Sequence, residues 1–393
     1  MKFTVGLFND SYYPIMDGVA NTVRNYAYWY NKKYGKSYVI TPKFPKYIDH
    51  EEFEVIRYIS TNLPLRYPYR LGMPIIANQT KKMIKQIDFD ILHVHCPFSS
   101  GKLALNLAKD KHIPVIASFH SKFYEDFKQI LKNDFLAKLA LKKVIAFYEK
   151  ADYVWTVNDS TTKTLREYGF KGKIEVMPNG TDFYNNINNH ENNDFFHKNY
   201  QISPNELIFL FVGQHIWQKN LKLIIESLNI LKKGNFKFKM YFIGEGYAKN
   251  DLSLIVKKYN LTNQVFIMGK ITDRQLLKRF FARANLFLFP STYDTSGIVI
   301  KEAAMVKTPS IVIEGTNAQE GIVDGVNGFT CKESYKSFAD KIKLVCQDKQ
   351  FLKLNGEKAQ ETLALSWESI IDKVADRYEE IIMNSNNFKK TYY

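Results

Sequence analysis

Cysteine is scarce. Cys96, Cys331 and Cys346 are the 3 in 393 residues, too few and too widely spaced for a disulfide framework or a paired-cysteine zinc site. Long apolar runs are missing as well: none approaches the ~18–20 residues that span a bilayer. The N-terminal MKFTVGLFNDSYYP turns polar at Asn9–Asp10, too early for the apolar core of a secretory signal. The expected location is therefore cytoplasmic. Neither a GxxxxGK(S/T) loop nor a GxGxxG fingerprint occurs, which argues against a P-loop nucleotidase and a simple dehydrogenase. No HExxH and no carboxylate cluster signals a metal, and none is expected. Acidic residues are in deficit, with 40 Asp+Glu against 55 Lys+Arg, a net charge of +15.

The charge is unevenly spread. Residues 1–150 hold 23 basic and 13 acidic side chains, 23 − 13 = +10, so most of the excess lies in the first half. A basic half suits an anionic partner such as nucleic acid, an anionic membrane or a phosphorylated substrate. A lysine-rich compositional habit explains it equally simply. Length suggests about two domains at ~150 residues each, and an apolar fraction of 45% is enough for ordinary cores.

Short apolar runs alternate with helical stretches. FTVGLF (3–8), SYVIT (38–42), EVIRYI (54–59), DILHVHCP (90–97), PVIASFH (114–120) and YVWTVN (153–158) read as buried strands. That alternation predicts an α/β fold with a parallel, doubly wound sheet, whose ligand lies beyond the carboxyl ends of strands. His95 and His120 stand where two strands end. In the loop NDSYYPIMDGV, Gly18 would allow close backbone approach to a ligand or simply a tight turn, with a helix beginning near Ala20–Asn21.

Residues 121–150 interleave Phe127, Ile130, Leu131, Phe135, Leu139 and Leu141 with Lys128, Lys132, Lys138, Lys142 and Lys143. This predicts an amphipathic basic helix or helix pair. Such a segment can lie in a membrane interface with its lysines on anionic lipid, or pack its apolar stripe on the core behind a solvated lysine face.

An Asn-rich stretch (185–206) reads as a linker. A second alternating set follows: LIFLFVG (207–213), KMYFIGEG (239–246), VFIMG (265–269), LFLFPSTYDTSGIVIKEAA (286–304) and PSIVIEG (309–315). In the fourth of these a strand stops at Pro290 and a helix opens near Ser296–Gly297. Asp294 lies at the helix mouth and Glu302 about two turns inside. Free N–H groups at a helix N-terminus suit a phosphate, and a deeper carboxylate can accept sugar hydroxyls. Lys219, where the next helix opens, can neutralise a phosphate, and Gly244 and Gly246 permit close backbone approach.

Taken together, FVGQHIWQKNL, FIGEG, VFIMGKI, FPSTYDTSGIVIKEA and DGVNGF resemble the family 4 retaining glycosyltransferases of the GT-B fold. In the first half NDSYYPIMDGV, HVHCPFSSGKLAL, PVIASFHS and IEVMPNGTDF agree, and the YYPxxxGV and HVHxPFSxG variants look most like bacterial diacylglycerol glycosyltransferases. The resemblance implies two Rossmann-like domains facing across a cleft. Residues 1–185 would form the acceptor-binding domain, 186–204 the linker and 205–366 the nucleotide-sugar domain, with 367–393 a C-terminal helix able to cross back.

Carried onto matching positions, the resemblance implies that Glu302 binds ribose hydroxyls and Asp294 lies near the donor sugar. Amides around Ser296, Gly297 and Ile298 would hold sugar hydroxyls or diphosphate. Lys219 would neutralise the diphosphate, beside Gln214, which stands where the family has arginine. Gly18 would admit the leaving phosphate, Gly244 would line the nucleotide site, and His120 would contact the sugar near the reacting carbon. His95, Lys128, Lys132, Phe135, Lys138 and Lys142 would lie on the membrane or acceptor side.

Two departures stand out. Asp294 is one methylene short of glutamate, and Gln214 lacks the charge. Losing one charge-assisted bond costs about 1.5–3 kcal/mol. The expected activity is metal-free transfer of a hexose from a UDP-linked donor to a membrane lipid, at the inner face of the membrane and with no cofactor. Alternatives are a polysaccharide or lipid-linked glycan acceptor and, more remotely, a GT-B nucleotide-sugar 2-epimerase. Nucleic-acid binding lacks any recognition motif.

Overall fold

The computed structural model describes residues 2–392 apart from Leu65, Asn185 and Asn186, with side chains through Ser385. The boundary expected at 185/186 lies outside the described residues. The chain forms two compact units, one of Met1–Gly180 with Trp367–Tyr393 and one of Thr181–Ser366.

The strands of the first unit are β1 (Thr4–Phe8), β2 (Lys36–Pro42), β3 (Glu54–Tyr58), β4 (Ser60–Asn62), β5 (Arg70–Gly72), β6 (Ile91–Val94), β7 (Val115–Phe119), β8 (Tyr153–Thr156) and β9 (Glu175–Val176). Its helices are α1 (Gly18–Lys33), α2 (Asn78–Gln86), α3 (Ser99–Lys111), α4 (Phe123–Leu131), α5 (Asp134–Tyr148) and α6 (Asp159–Glu167). The main sheet is parallel, in the order β3-β2-β1-β6-β7-β8-β9. Strands β6 and β7 are buried along their whole length, as a sheet covered on both faces requires. The order reverses between β1 and β6, the switch point at which such sheets bind ligands. Helix α1 starts earlier than expected because Asp17 caps it, accepting from the Ala20 amide at 2.7 Å, so Gly18 is its first residue.

The second unit contains α7 (Asn189–Tyr200), β10 (Ile208–Val212), α8 (Leu221–Lys233), β11 (Lys239–Ile243), α9 (Lys249–Lys258) and β12 (Val265–Gly269). It continues with α10 (Arg274–Arg283), β13 (Leu286–Phe289), α11 (Ile298–Met305), β14 (Ser310–Ile313), β15 (Phe329–Cys331), α12 (Tyr335–Val345) and α13 (Lys349–Leu363). Its sheet is parallel in the order β12-β11-β10-β13-β14-β15, with the reversal between β10 and β13.

The linker expected over 186–204 contains helix α7. Asn188 caps it by accepting from the His190 amide at 3.0 Å, and Phe196 is fully buried, its ring 5.0 Å from that of Phe280 on α10. Polar composition concealed a helix that needs only one apolar edge. The last helix, α14 (Trp367–Tyr392), belongs to the first unit. Trp367, Ile370, Ile371, Val374, Tyr378 and Ile381 form its buried stripe at the three- and four-residue spacing of one helix face. Arg377 on α14 donates to both oxygens of Glu175 at 2.9 and 2.6 Å.

Candidate active site

In the second unit the loops after β10, β11 and β12 stack closely. The Gly244 amide donates to the Gly269 carbonyl at 2.8 Å, and Gly213 donates to Ile243 at 3.0 Å. Gly244 has φ +142°, and a Cβ there would lie 1.9 Å from the Gly213 carbonyl oxygen. The neighbouring loop approaches Gly244 so closely that this position has no room for a side chain. His215, next along, is fully buried, and burial pushes its imidazole down to about 4. Gln214 beside it is exposed.

Across the switch point, Gly297 has φ +52° and leads into α11, with no side chain capping the helix. Glycine adopts this left-handed geometry without the strain a side chain would add. The helix therefore opens at Ile298, just after the expected Ser296–Gly297, with its first amides available to an anion. Lys219 and Asp294 meet here: the ammonium donates to Asp294 Oδ1, and both side chains are mostly covered. Asp294 Oδ2 is buried without a partner among the described residues.

Glu302, two turns into α11, is 3% exposed. Its Oε1 accepts from Arg274 Nη2 at 2.6 Å, and Arg274 also grips Asp182 in bidentate fashion, with Nε to Oδ2 at 3.0 Å. The guanidinium lies over the Phe183 ring, 4.5 Å from its centroid. Burial raises the Glu302 carboxyl above its usual range, and the Arg274 charge pulls it back. Sequence reasoning passed over Arg274 and Asp182. One signal was legible: Arg274 opens α10, where a cation opposes the helix dipole, so it needed a specific acidic partner.

In the first unit His95 and His120 do come together, with His95 Nδ1 3.0 Å from His120 Nε2. His93 stacks on His95 at 4.1 Å between ring centroids. Its own nitrogens meet Tyr378 Oη at 2.6 Å and Ser118 Oγ at 2.7 Å. His93 and Tyr378 were not anticipated, because α14 supplies one of them from far along the chain. Burial pushes His120 down to about 4 and His95 well below its ordinary value, so all three rings are neutral near pH 7. His95, expected on the acceptor side, is 2% exposed. It is in contact with His120. Gly18 lies exposed at the start of α1.

The basic segment is a helix pair. Lys132 at φ +48° ends α4, and Asn133 caps α5 by accepting from the Leu136 amide at 3.1 Å. Phe127 and Leu141 pack against the core. Phe135 is 74% exposed, Leu131, Leu136 and Leu139 are exposed beside it, and Lys128, Lys132, Lys138 and Lys142 are exposed too. Among the described residues no helix is long and apolar enough to cross a membrane.

These features belong to two Rossmann-like α/β units. Residues 16–183 match the pattern of Glycosyltransferase Family 4, and residues 192–362 that of Glycosyl transferases group 1. The chain belongs to the family 4 glycosyltransferases. It is similar to an alpha-monoglucosyldiacylglycerol synthase of Streptococcus pneumoniae, 25% identical over 316 residues, 78% of this chain and 70% of the relative. A second alpha-monoglucosyldiacylglycerol synthase, from Acholeplasma laidlawii, is 23% identical over 335 residues, 82% of this chain and 83% of that one. In structure the chain resembles Anabaena HepE, solved with UDP and glucose, at a TM-score of 0.77 and 15% identity, covering 96% and 100% of the two chains. The fold of this family 4 glycosyltransferase is GT-B, an α/β architecture of two Rossmann-like parallel sheets.

For such an enzyme the second unit offers a cation at Lys219, the uncapped N-terminus of α11 and the acids Asp294 and Glu302. A cation and helix amides are the groups that stabilise a departing diphosphate electrostatically.

Proposed function

We propose that this glycosyltransferase moves a hexose from a UDP-linked donor to diacylglycerol at an anionic membrane surface, with retention at the anomeric carbon and no metal ion. The observation that carries the acceptor is the α4–α5 face, where Phe135, Leu136 and Leu139 stand exposed among lysines. Each lysine near an anionic leaflet contributes roughly 1 kcal/mol of attraction. The two relatives named as alpha-monoglucosyldiacylglycerol synthases support the same acceptor, and HepE's UDP and glucose support the donor.

Glu302 accepts ribose hydroxyls in this reading, and Lys219 with the α11 amides holds the diphosphate. Gln214 contributes a dipole in place of a charge. The acceptor hydroxyl attacks the anomeric carbon from the face the diphosphate leaves. A carbon–oxygen bond forms to the acceptor, the bond to the phosphate oxygen breaks, and the hydroxyl proton passes to the departing phosphate. Lys219 is the cation that meets the charge developing there, so no metal is required.

The test combines co-sedimentation with vesicles, with and without phosphatidylglycerol, and transfer from labelled UDP-glucose to diacylglycerol, with and without EDTA. Binding to the anionic vesicles and EDTA-resistant labelling of diacylglycerol are expected. Failure of both binding and labelling, with transfer to a polysaccharide or lipid-linked glycan instead, overturns the lipid acceptor.

A further inference from the structure

We infer that Arg274 is a positioning residue for the donor site: it holds Glu302 by one carboxylate oxygen and so leaves the other aimed and charged for the ribose hydroxyls. The inference rests on the reading of Glu302 as the ribose acceptor. Among the described residues the Glu302 carboxylate makes one hydrogen bond, at Oε1 to Arg274 Nη2, 2.6 Å long. Oε2 remains for a ligand.

A carboxylate this deeply covered loses its hydration, and burial favours its neutral form. A protonated carboxyl keeps one strong acceptor fewer and binds a sugar hydroxyl less well than a carboxylate does. Arg274 supplies the opposing charge at contact distance. It is itself locked from the other side, through the bidentate bonds to Asp182 and the Phe183 ring beneath it. Three separate stretches of the second unit meet in this chain of contacts: the residues just after the unit begins, the first turn of α10, and α11. The charged groups facing Glu302 are Arg274 and Asp182, and Asp182 in turn acts on Lys278 of α10.

Holding α10 against α11 is not a sufficient reason for these charges. A buried ion pair rarely outperforms apolar side chains of the same volume, and a cation in the first turn of α10 works against the helix dipole. The arrangement makes sense when the carboxylate has to stay ionised for a ligand.

The sign of the pH effect follows. Arg274 lowers the carboxyl's affinity for a proton, so removing it lets burial raise that affinity further. Nucleotide binding should then be lost at a higher pH on acidification than in the wild type.

The experiment is calorimetric titration of the whole protein with UDP and with 2′-deoxy-UDP from about pH 5 to pH 8. The variants are Glu302→Gln, Arg274→Gln, Arg274→Lys and Asp182→Asn. The wild type should prefer UDP, and Glu302→Gln should weaken UDP by about tenfold or more and remove the preference. Arg274→Gln should reproduce much of that loss at neutral pH and move the acid limb of binding upward. Arg274→Lys should keep the wild-type acid limb with a smaller loss, and Asp182→Asn should fall between them. If Glu302→Gln changes neither affinity nor preference, the ribose reading itself fails. If it changes both, but Arg274→Gln keeps the wild-type preference and acid limb, Arg274 is a packing residue and the inference is overturned. Should Arg274→Gln not fold, the comparison of Arg274→Lys with Asp182→Asn decides by the same acid limb.

Discussion

Lys219 Nζ donates to Asp294 Oδ1, joining the loop that follows β10 to the loop that follows β13. The two residues were expected to touch different parts of the donor, the lysine its diphosphate and the aspartate its sugar. If Lys219 holds the diphosphate as proposed, that ligand competes with Asp294 for the same ammonium. Neutralising the aspartate should therefore tighten UDP binding while slowing sugar transfer. We expect Asp294→Asn to bind UDP several-fold more tightly with a lower kcat, and Lys219→Ala to bind it about tenfold more weakly. Calorimetry beside steady-state kinetics separates the two, and weaker binding by Asp294→Asn would contradict the competition.

His120 is held by His95 and sits in the first unit. On the expectation that His120 contacts the sugar near the reacting carbon, His120→Ala should lower kcat by about tenfold or more, the worth of one lost hydrogen bond. Its affinity for UDP should stay within twofold of the wild type, by about the same reckoning. His95→Ala should show a smaller loss of kcat in the same direction. A His120 variant with normal turnover would remove it from the reaction.

Acid should loosen the first unit. His93, His95 and His120 are buried and neutral, with protonation displaced below the ordinary histidine range. Between about pH 6.5 and pH 4 the unfolded chain binds protons that the folded one does not, so stability falls as pH falls. Each such histidine contributes a slope of up to about 1.4 kcal/mol per pH unit in that window. Thermal melts across the window should show the decline, and His93→Gln should flatten it. An equally steep decline in the His93 variant would count against this origin.

Phe135 contributes nothing to the core at 74% exposure, so replacing it leaves folding intact. Phe135→Ser with Leu139→Ser should weaken binding to anionic vesicles by about tenfold or more, since each insertion of such a side chain contributes about 1.5–3 kcal/mol. Lys128→Glu should weaken it further and make the remaining binding less dependent on salt. Unchanged co-sedimentation in the combined variant would move the membrane contact elsewhere.

Gly244→Ala should be among the most destabilising single changes in the second unit. Its Cβ would overlap the Gly213 carbonyl oxygen, and the backbone conformation itself is strained for alanine. A loss of about 2–4 kcal/mol is expected in denaturant unfolding. A loss within experimental error would show that the loops can part.

The fold was largely legible because its signals are local. A strand buried on both faces must be apolar throughout, and a helix between strands must carry one apolar stripe. Those requirements marked β6, β7, β10, β11 and β13 on the one-dimensional chain. The strand-end loops were legible for the same reason, since glycine and small polar residues gather where the backbone turns. Helix α7 escaped because two adjacent phenylalanines, Phe195 and Phe196, anchor an otherwise polar stretch.

Pairings across long separations were not legible. The residue types at Lys219, Asp294, Glu302, His95 and His120 suggested a chemistry, and the strand pattern placed four of them in or beside strand-end loops and Glu302 inside the helix that follows. Which of them touch depends on the order in which strands lie side by side, because that order decides which loops become neighbours. Thus α14 brings Tyr378 to His93, the β10–β13 pairing brings Lys219 to Asp294, and α10 brings Arg274 to Glu302. Residue type supplies a charge or a hydrogen-bonding group, and the sheet order supplies its partner.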